Sequence, residues 1–172
     1  RQCLLLLAPW LVAGATACAQ AQAQAQDPPA RAGRVSFIEG TVSLYPAGDT
    51  AWTDASINYP LTTGDAVWAD TSARAEIELG PSVVRLDAQT ALVFGELSDT
   101  VTQMRIDQGS LDVGIAQLGD NDVYEIDTPS GVISLDATGD YRVDVTPDGG
   151  RSTLTVRSGA AEMTGGNRTI RV

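Results

Sequence analysis

The chain lacks the side chains on which many enzyme mechanisms depend. It has no His and no Lys, so all 11 of its basic residues are Arg. Its two cysteines, Cys3 and Cys18, both lie in an apolar N-terminal segment. The rest of the chain therefore cannot form a Ser–His or Cys–His nucleophile pair, a lysine Schiff base or a zinc site of the Cys/His type. We accordingly predict no catalytic residue, no metal site and no cofactor.

Positive charge is scarce as well. The 22 acidic residues outnumber the 11 arginines, which gives a formal net charge of −11 and a pI of about 4.2. Such a surface repels phosphate backbones and opposes docking on anionic lipid. We therefore expect no nucleic-acid partner.

The first 19 residues have the features of a secretory signal peptide. Arg1 precedes an apolar core over residues 4–14, and residues 17–19 (Ala-Cys-Ala) match the small-x-small cleavage pattern. The core is shorter than the ~20 residues that a membrane-spanning helix needs. We predict a Sec-type signal peptide at residues 1–19, no transmembrane span in the mature chain, and a periplasmic or secreted location. Two alternatives stay open: lipidation at Cys18, or a membrane anchor behind an upstream domain, because the sequence does not begin with Met.

A low-complexity segment follows the signal peptide. Residues 20–33 read QAQAQAQDPPARAG, a composition typical of a flexible linker. We predict that residues 34–172 form one domain. The last residue, Val172, falls in a predicted strand, which leaves open a truncation of this domain at its C-terminus.

Beyond the linker, apolar and polar residues alternate over short segments, which is the pattern of strands with one buried face. Ala75, Ile77 and Leu79 form one such segment, and residues 147–150 (Pro-Asp-Gly-Gly) give the strongest hairpin signal. No window beyond residue 30 has sustained helical periodicity. The pattern predicts an all-β domain of short strands, either solenoid-like or a sandwich.

Local expectations follow from the alternation and from the glycines. Val35 and Phe37 should point to the same face of the first strand. Residues 107–109 (Asp-Gln-Gly) should form a turn, and Gly40 should mark a bulge or a corner. Strands led by a glycine recur at irregular spacing, which favours stacked β turns with a Gly at each corner.

Five short motifs occur in order along the predicted domain. They are Gly40-Thr41-Val42, Leu61-Thr62-Thr63-Gly64-Asp65, Ser72-Ala73-Arg74-Ala75-Glu76-Ile77, Gly109-Ser110-Leu111 and Tyr124-Glu125-Ile126-Asp127-Thr128-Pro129. Taken together they resemble the FecR domain, and the resemblance covers about residues 34–172.

The resemblance implies a β-rich, solenoid-like periplasmic module. In FecR regulators this module follows a cytoplasmic anti-sigma domain and one membrane helix, and it receives a signal from an outer-membrane transporter. The present sequence has no segment that resembles the anti-sigma helices. What the resemblance implies is thus a stand-alone, exported FecR-like module for protein binding or signal sensing.

The candidate binding residues are aromatic. Trp52, Tyr59 and Trp68 lie close in sequence to Asp65, and together these four residues are the predicted partner-binding site. Aromatic side chains supply large contact surfaces to proteins and sugars, although core packing is their other common use.

Two carboxylate patterns give further, less favoured hypotheses. Glu76 and Glu78 lie on one face of a predicted strand, about 6.5–7 Å apart, a separation compatible with paired-carboxylate hydrolysis. Asp120, Asn121 and Asp122 offer oxygen ligands for Ca²⁺, but the EF-hand spacing is absent. A solvated strand face and a self-bonded polar loop are the simpler interpretations.

The favoured function is therefore that of an exported, non-catalytic interaction module of the cell envelope. Exposed strand edges would let a protein partner add to the sheet by backbone pairing. A glycan- or cell-wall-binding module that uses Trp52, Tyr59 and Trp68 is the alternative. A carboxylate-based hydrolase is the least favoured hypothesis.

Overall fold

The computed structural model describes residues 32–172 and contains strands and turns throughout this range. The predicted signal peptide, the Cys18 lipidation site and nearly all of the predicted linker lie outside the described residues. Over the range described, no helix is long and apolar enough to cross a membrane. The prediction of an all-β fold is confirmed.

Fifteen strands, numbered in chain order, form one hydrogen-bonded network in which two sheets share a strand. The first sheet has the spatial order β4 (Pro60–Leu61), β1 (Gly33–Glu39), β6 (Arg74–Leu79), β7 (Ser82–Leu86), β9 (Val101–Ile115), β12 (Gly139–Val145) and β13 (Ser152–Ser158). The second has the order β3 (Thr53–Asp54), β2 (Val42–Tyr45), β5 (Ala66–Ala69), β8 (Thr90–Leu97), β9, β10 (Val123–Thr128), β11 (Gly131–Leu135), β14 (Ala161–Gly165) and β15 (Arg168–Arg171).

Strand β9 belongs to both sheets. Its N-terminal half pairs with β8 and β10, and its C-terminal half pairs with β7 and β12. Every strand pair is antiparallel except β9 with β10. The side chains of both sheets meet in one hydrophobic core, which contains Ile77 and Val113 from the first sheet and Phe94 and Ile126 from the second. The two sheets therefore form the layers of a folded sandwich.

The predicted turn at residues 107–109 is wrong, because β9 continues through it. The segment is a bulge, because the register with β8 shifts here. Ile106 and Leu111, the buried residues on either side of it, are an odd number of residues apart, which regular alternation would not allow. Gly109 has φ +97°, and a Cβ at this position would collide with Thr90. Glycine is needed because the backbone turns from one sheet into the other at this corner.

The expectation that Val35 and Phe37 point to the same face of the first strand is wrong, because β1 contains a second bulge. Val35 is buried as predicted, but Phe37 is 48% exposed. The register of β1 against β6 shifts between these two residues, so that Phe37 lies opposite Glu76 on the outer face. One extra residue reverses the facing of every later side chain in a strand. The corner predicted at Gly40 does occur, where the chain passes from β1 in the first sheet to β2 in the second.

Candidate interaction surfaces

Three aromatic side chains lie together on the outer face of the second sheet. The rings of Tyr45 and Trp52 have centroids 5.5 Å apart at an interplanar angle of 52°, and Trp52 is 52% exposed. Trp68 lies opposite Ser43, two residues from Tyr45 on the same face of β2. Such diagonal neighbours in a sheet are within reach of each other when their side chains are aromatic. We call Tyr45, Trp52 and Trp68 the aromatic face.

The structure places the other two predicted binding residues differently. Tyr59 packs against the core, and its carbonyl oxygen accepts a hydrogen bond from the backbone N–H of Val35 at 3.1 Å. Asp65 is 4% exposed, and its carboxylate accepts hydrogen bonds from the backbone N–H groups of Ala47 and Thr62, both at 2.7 Å. Asp65 thus fixes the turn that follows Tyr45 and positions the segment that carries Trp52.

Tyr45 was absent from the sequence-based site. Its alternation with the buried Leu44 places it on the outer face of β2, and this pattern was visible in the sequence. The contact with Trp52 was not visible, because it depends on the course of the turn between the two residues.

The outer face of the first sheet carries a row of alternating charges. In the strand register, Glu76 lies opposite Arg85, Arg85 opposite Asp112, and Asp112 opposite Arg142. Arg85 Nε contacts Glu76 Oε2 at 2.8 Å, and Arg142 Nη1 contacts Asp112 Oδ2 at 2.6 Å. Opposite charges directly across strands stabilise the pairing, so the row holds four strands together.

Arg142 is the centre of this charged row. Its guanidinium also reaches Asp87 and Asp144, each at 3.0 Å. Burial alone would lower the pKa of Arg142, but the hydrogen bonds to Asp144 and Asp87 and the charges of Asp144 and Asp112 outweigh it, so the pKa is raised above its ordinary value. A guanidinium with three carboxylate partners is a structural crosslink rather than a free recognition group.

The two carboxylate hypotheses gain no support from the geometry. Glu76 accepts a hydrogen bond from Ser36 Oγ at 3.0 Å and pairs with Arg85, while Glu78 pairs with Arg34. Each of the two carboxylates is thus engaged by an arginine of its own, as expected of a solvated strand face. Asp122 accepts a hydrogen bond from the backbone N–H of Gly119 at 2.8 Å, which closes its loop on itself. Residues 32–172 contain no group of three or more His, Cys, Asp or Glu side chains placed to hold a metal ion.

The sheets end in edges of unequal length. Strands β3 and β4 have two residues each and β15 has four, whereas β13 has seven. Among the described strands β13 pairs with β12 alone, so its other edge carries unpaired backbone groups. Leu154 and Val156 lie opposite the buried Val143 and Tyr141, and they point inward while remaining half-buried. This edge is long, unpaired and apolar on its inner side.

The comparisons with known proteins agree with this fold. A family model described as FecR protein matches residues 65–162, more than half of the chain. Two crystal structures, each of a candidate anti-sigma factor from Parabacteroides distasonis ATCC 8503, superpose with a TM-score of 0.55 at 14% and 13% sequence identity. Each match covers 62% of this chain and 50% of the other, so the chain spans about half the length of these structures. At such identity the likeness is one of fold alone. No curated protein matches the sequence significantly.

Proposed function

The chain belongs to the FecR family, and from this premise we propose that it is an exported, non-catalytic interaction module of the cell envelope that binds a protein partner along β13. The observation that carries the proposal is the unpaired outer edge of this seven-residue strand. Unpaired backbone N–H and C=O groups at a sheet edge are a template for an added strand.

The composition of β13 supports its use as a binding edge. Natural proteins protect edge strands with Pro, with inward-pointing charges or with exposed Lys. The strand STLTVRS contains no Pro, and its single charged residue, Arg157, points outward and contacts Asp112 at 2.7 Å. An edge of this length without protection fits a strand that is covered in the working protein.

Two observations support a protein partner and an extracytoplasmic site. The solved structures of similar fold are described as candidate anti-sigma factors, a class that acts on another protein. The features of the first 19 residues favour export, and the chain beyond residue 18 contains no Cys that an oxidising compartment would affect.

Site-specific photocrosslinking in intact cells tests the proposal. A photoreactive amino acid replaces Thr155, which is exposed on β13, and the matched control replaces Arg105, which is exposed on β9 with paired strands on both sides. We expect one protein adduct, identified by mass spectrometry, from position 155 and none from position 105. The adduct should disappear when Val156→Lys adds an inward-pointing charge to the edge. Equal labelling at both positions, or no adduct, contradicts the proposal.

Export has its own test. Cell fractionation of the full chain should place the processed protein in the periplasm, the envelope or the medium. An unprocessed chain in the cytoplasm would overturn the location without affecting the edge hypothesis.

Glycan binding is a second candidate, which the aromatic face favours. Tyr45 and Trp52 present an exposed, tilted aromatic pair, and aromatic rings stack readily on the apolar faces of sugars. If this candidate is correct, the full chain should sediment with isolated peptidoglycan, and Trp52→Ala should abolish this retention. Phe37→Ala is the matched control, since Phe37 is similarly exposed on the other sheet. Retention that survives Trp52→Ala contradicts glycan binding at this face.

A further inference from the structure

Beyond the shared strand β9, the two sheets contain different numbers of strands. The first sheet continues with two strands, β12 and β13, whereas the second continues with four, β10, β11, β14 and β15. The inner face of the second sheet therefore extends past the strands that cover it. We use the name open cleft for the inward-facing side chains at the ends of the two sheets, which are Leu154 and Val156 on β13, Met163 on β14, and Arg168 and Ile170 on β15.

Exposure along one row of side chains marks where the cover stops. Ile126, Ile133, Met163 and Ile170 lie opposite one another on β10, β11, β14 and β15, all on the inner face. Ile126 and Ile133 are fully buried, Met163 is half-buried, and Ile170 is 60% exposed. Within residues 32–172, no strand of the first sheet covers the inner face of these last two strands. An added strand beside β13 would fill this place.

The segment of the chain that contains most of the open cleft is basic, although the molecule as a whole is acidic. Residues 151–172 contain four Arg and one acidic residue, Glu162, although the chain has a net charge of −11. Arg171 points to the outer face and pairs with Glu162 at 2.6 Å. Arg168 shares the inner face with Ile170, is exposed, and makes no ion pair with any residue in the described part of the chain.

We propose that the open cleft accepts an extended segment of a partner protein whose inward-facing positions carry apolar residues and one carboxylate, and that this carboxylate reaches Arg168. This inference rests on the proposed function of the β13 edge and adds the chemistry of the partner. The backbone of the segment pairs with β13, and its apolar side chains cover Met163 and Ile170. The inward alternation is required because opposite residues in a sheet share a face.

A second copy of the chain fits this place less well. If a second copy paired through its own β13, its strands β10, β11, β14 and β15 would lie in the same layer as β14 and β15 of the first copy. The two sets of strands would then compete for the same space. Two molecules of net charge −11 also repel each other. A single strand or hairpin from another protein avoids both problems.

Fluorescence anisotropy with defined peptides tests the inference on the full chain. The probe is a labelled nine-residue peptide in which Thr alternates with inward-facing residues, one of which is Glu and the others Val. The controls are the same peptide with Lys in place of Glu, and a version with Pro at its centre. We expect binding of the acidic peptide alone, weakened by added salt. Arg168→Ala should reduce the affinity about tenfold, since it removes a charge pair in a partly desolvated cleft.

Arg171→Ala is the matched variant, because Arg171 lies on the same short strand but on the opposite face. It should leave the affinity unchanged. Equal effects of the two substitutions, equal binding of acidic and basic peptides, or no binding at all overturn the inference. A doubled mass of the peptide-free chain in light scattering also overturns the inference, because it would mean that a second copy of the chain occupies the cleft. The envelope crosslink at Thr155 is independent: an adduct whose partner lacks an acidic strand refutes the inference but leaves the proposed function standing.

Discussion

The hydroxyl groups of Ser82 and Tyr124 lie 2.7 Å apart in the core and join the two sheets. Ser82 is on β7 of the first sheet and Tyr124 is on β10 of the second, and both side chains are buried. This hydrogen bond crosses the core between the two layers. It links the motif Tyr124-Glu125-Ile126-Asp127-Thr128-Pro129, which contributes to the resemblance to the FecR domain, to the opposite sheet.

Removing one hydroxyl of this pair should be worse than removing both. Tyr124→Phe leaves the Ser82 hydroxyl buried without this partner, and we expect a loss of about 1–3 kcal/mol in the free energy of unfolding. Adding Ser82→Ala should recover part of this loss, since no polar group is then left unpaired. Urea unfolding of both single variants and the double variant measures the coupling. Additive effects would show that the two hydroxyls act independently.

Asp65→Asn should loosen the turn that precedes the aromatic pair. The amide has one acceptor oxygen, so either Ala47 N–H or Thr62 N–H would face an NH₂ group instead of a carboxylate. We expect a loss of about 1–3 kcal/mol in stability and faster hydrogen exchange at one of these two amides. Asp49→Asn, in the exposed part of the same turn, is the control and should change neither quantity. Unchanged exchange at both amides would contradict the positioning role of Asp65.

Loss of the central guanidinium should destabilise the first sheet. Arg142→Gln leaves Asp87, Asp112 and Asp144 close together without the cation that they share. We expect a loss of about 1–3 kcal/mol, which salt should reduce because it screens the remaining carboxylates. The raised pKa of Arg142 keeps it charged in the wild type at any ordinary pH, so its own titration does not contribute.

The control for Arg142→Gln is Arg74→Gln. Arg74 is two-thirds exposed and approaches Asp87 at 3.7 Å, so its removal should change stability by less than about 1 kcal/mol. Chemical unfolding at low and high ionic strength compares the two variants. A salt-independent loss in Arg142→Gln would indicate that packing, rather than charge, is the cause.

The β12–β13 hairpin turn should respond to acid through Asp148. Hydrogen bonds from Thr146 Oγ1 at 2.6 Å and from the backbone N–H of Gly150 at 3.0 Å lower the pKa of this carboxyl. A lowered pKa in the folded state means that the contribution to stability exists above the ordinary pKa and is lost as pH falls through the lowered one. We therefore expect the Gly150 amide resonance to titrate at a pH below the ordinary pKa of an aspartate side chain. Asp148→Asn should abolish that titration, and its persistence would assign it to another group.

The sequence predicted the strands well wherever the alternation was unbroken. Ala75, Ile77 and Leu79 all point into the core, and the predicted Pro147–Gly150 turn joins β12 to β13. The prediction was wrong where a bulge changes the period, at Phe37 and at residues 107–109. A bulge adds one residue without any residue type that is unique to it, so alternation alone cannot reveal it.

The candidate surfaces were less accessible to sequence analysis than the strands. Trp52 and Trp68 belong to the aromatic face, whereas Asp65 is buried and Tyr59 packs against the core. Within the motif Leu61-Thr62-Thr63-Gly64-Asp65, the structure gives Asp65 a role in holding the backbone of two turns. The open cleft depends on how many strands each sheet contains, and pairing between distant strands is not encoded in any local pattern.

Strand β9, which both sheets share, also constrains how the protein can be made. Until Val101–Ile115 has left the ribosome or the translocation channel, β7 and β8 have no neighbour on one side. A nascent chain at that stage has two unprotected edges in succession, which are surfaces prone to aggregation. Pairing with β9 then protects both edges, so the nascent chain should be prone to aggregation until this segment emerges.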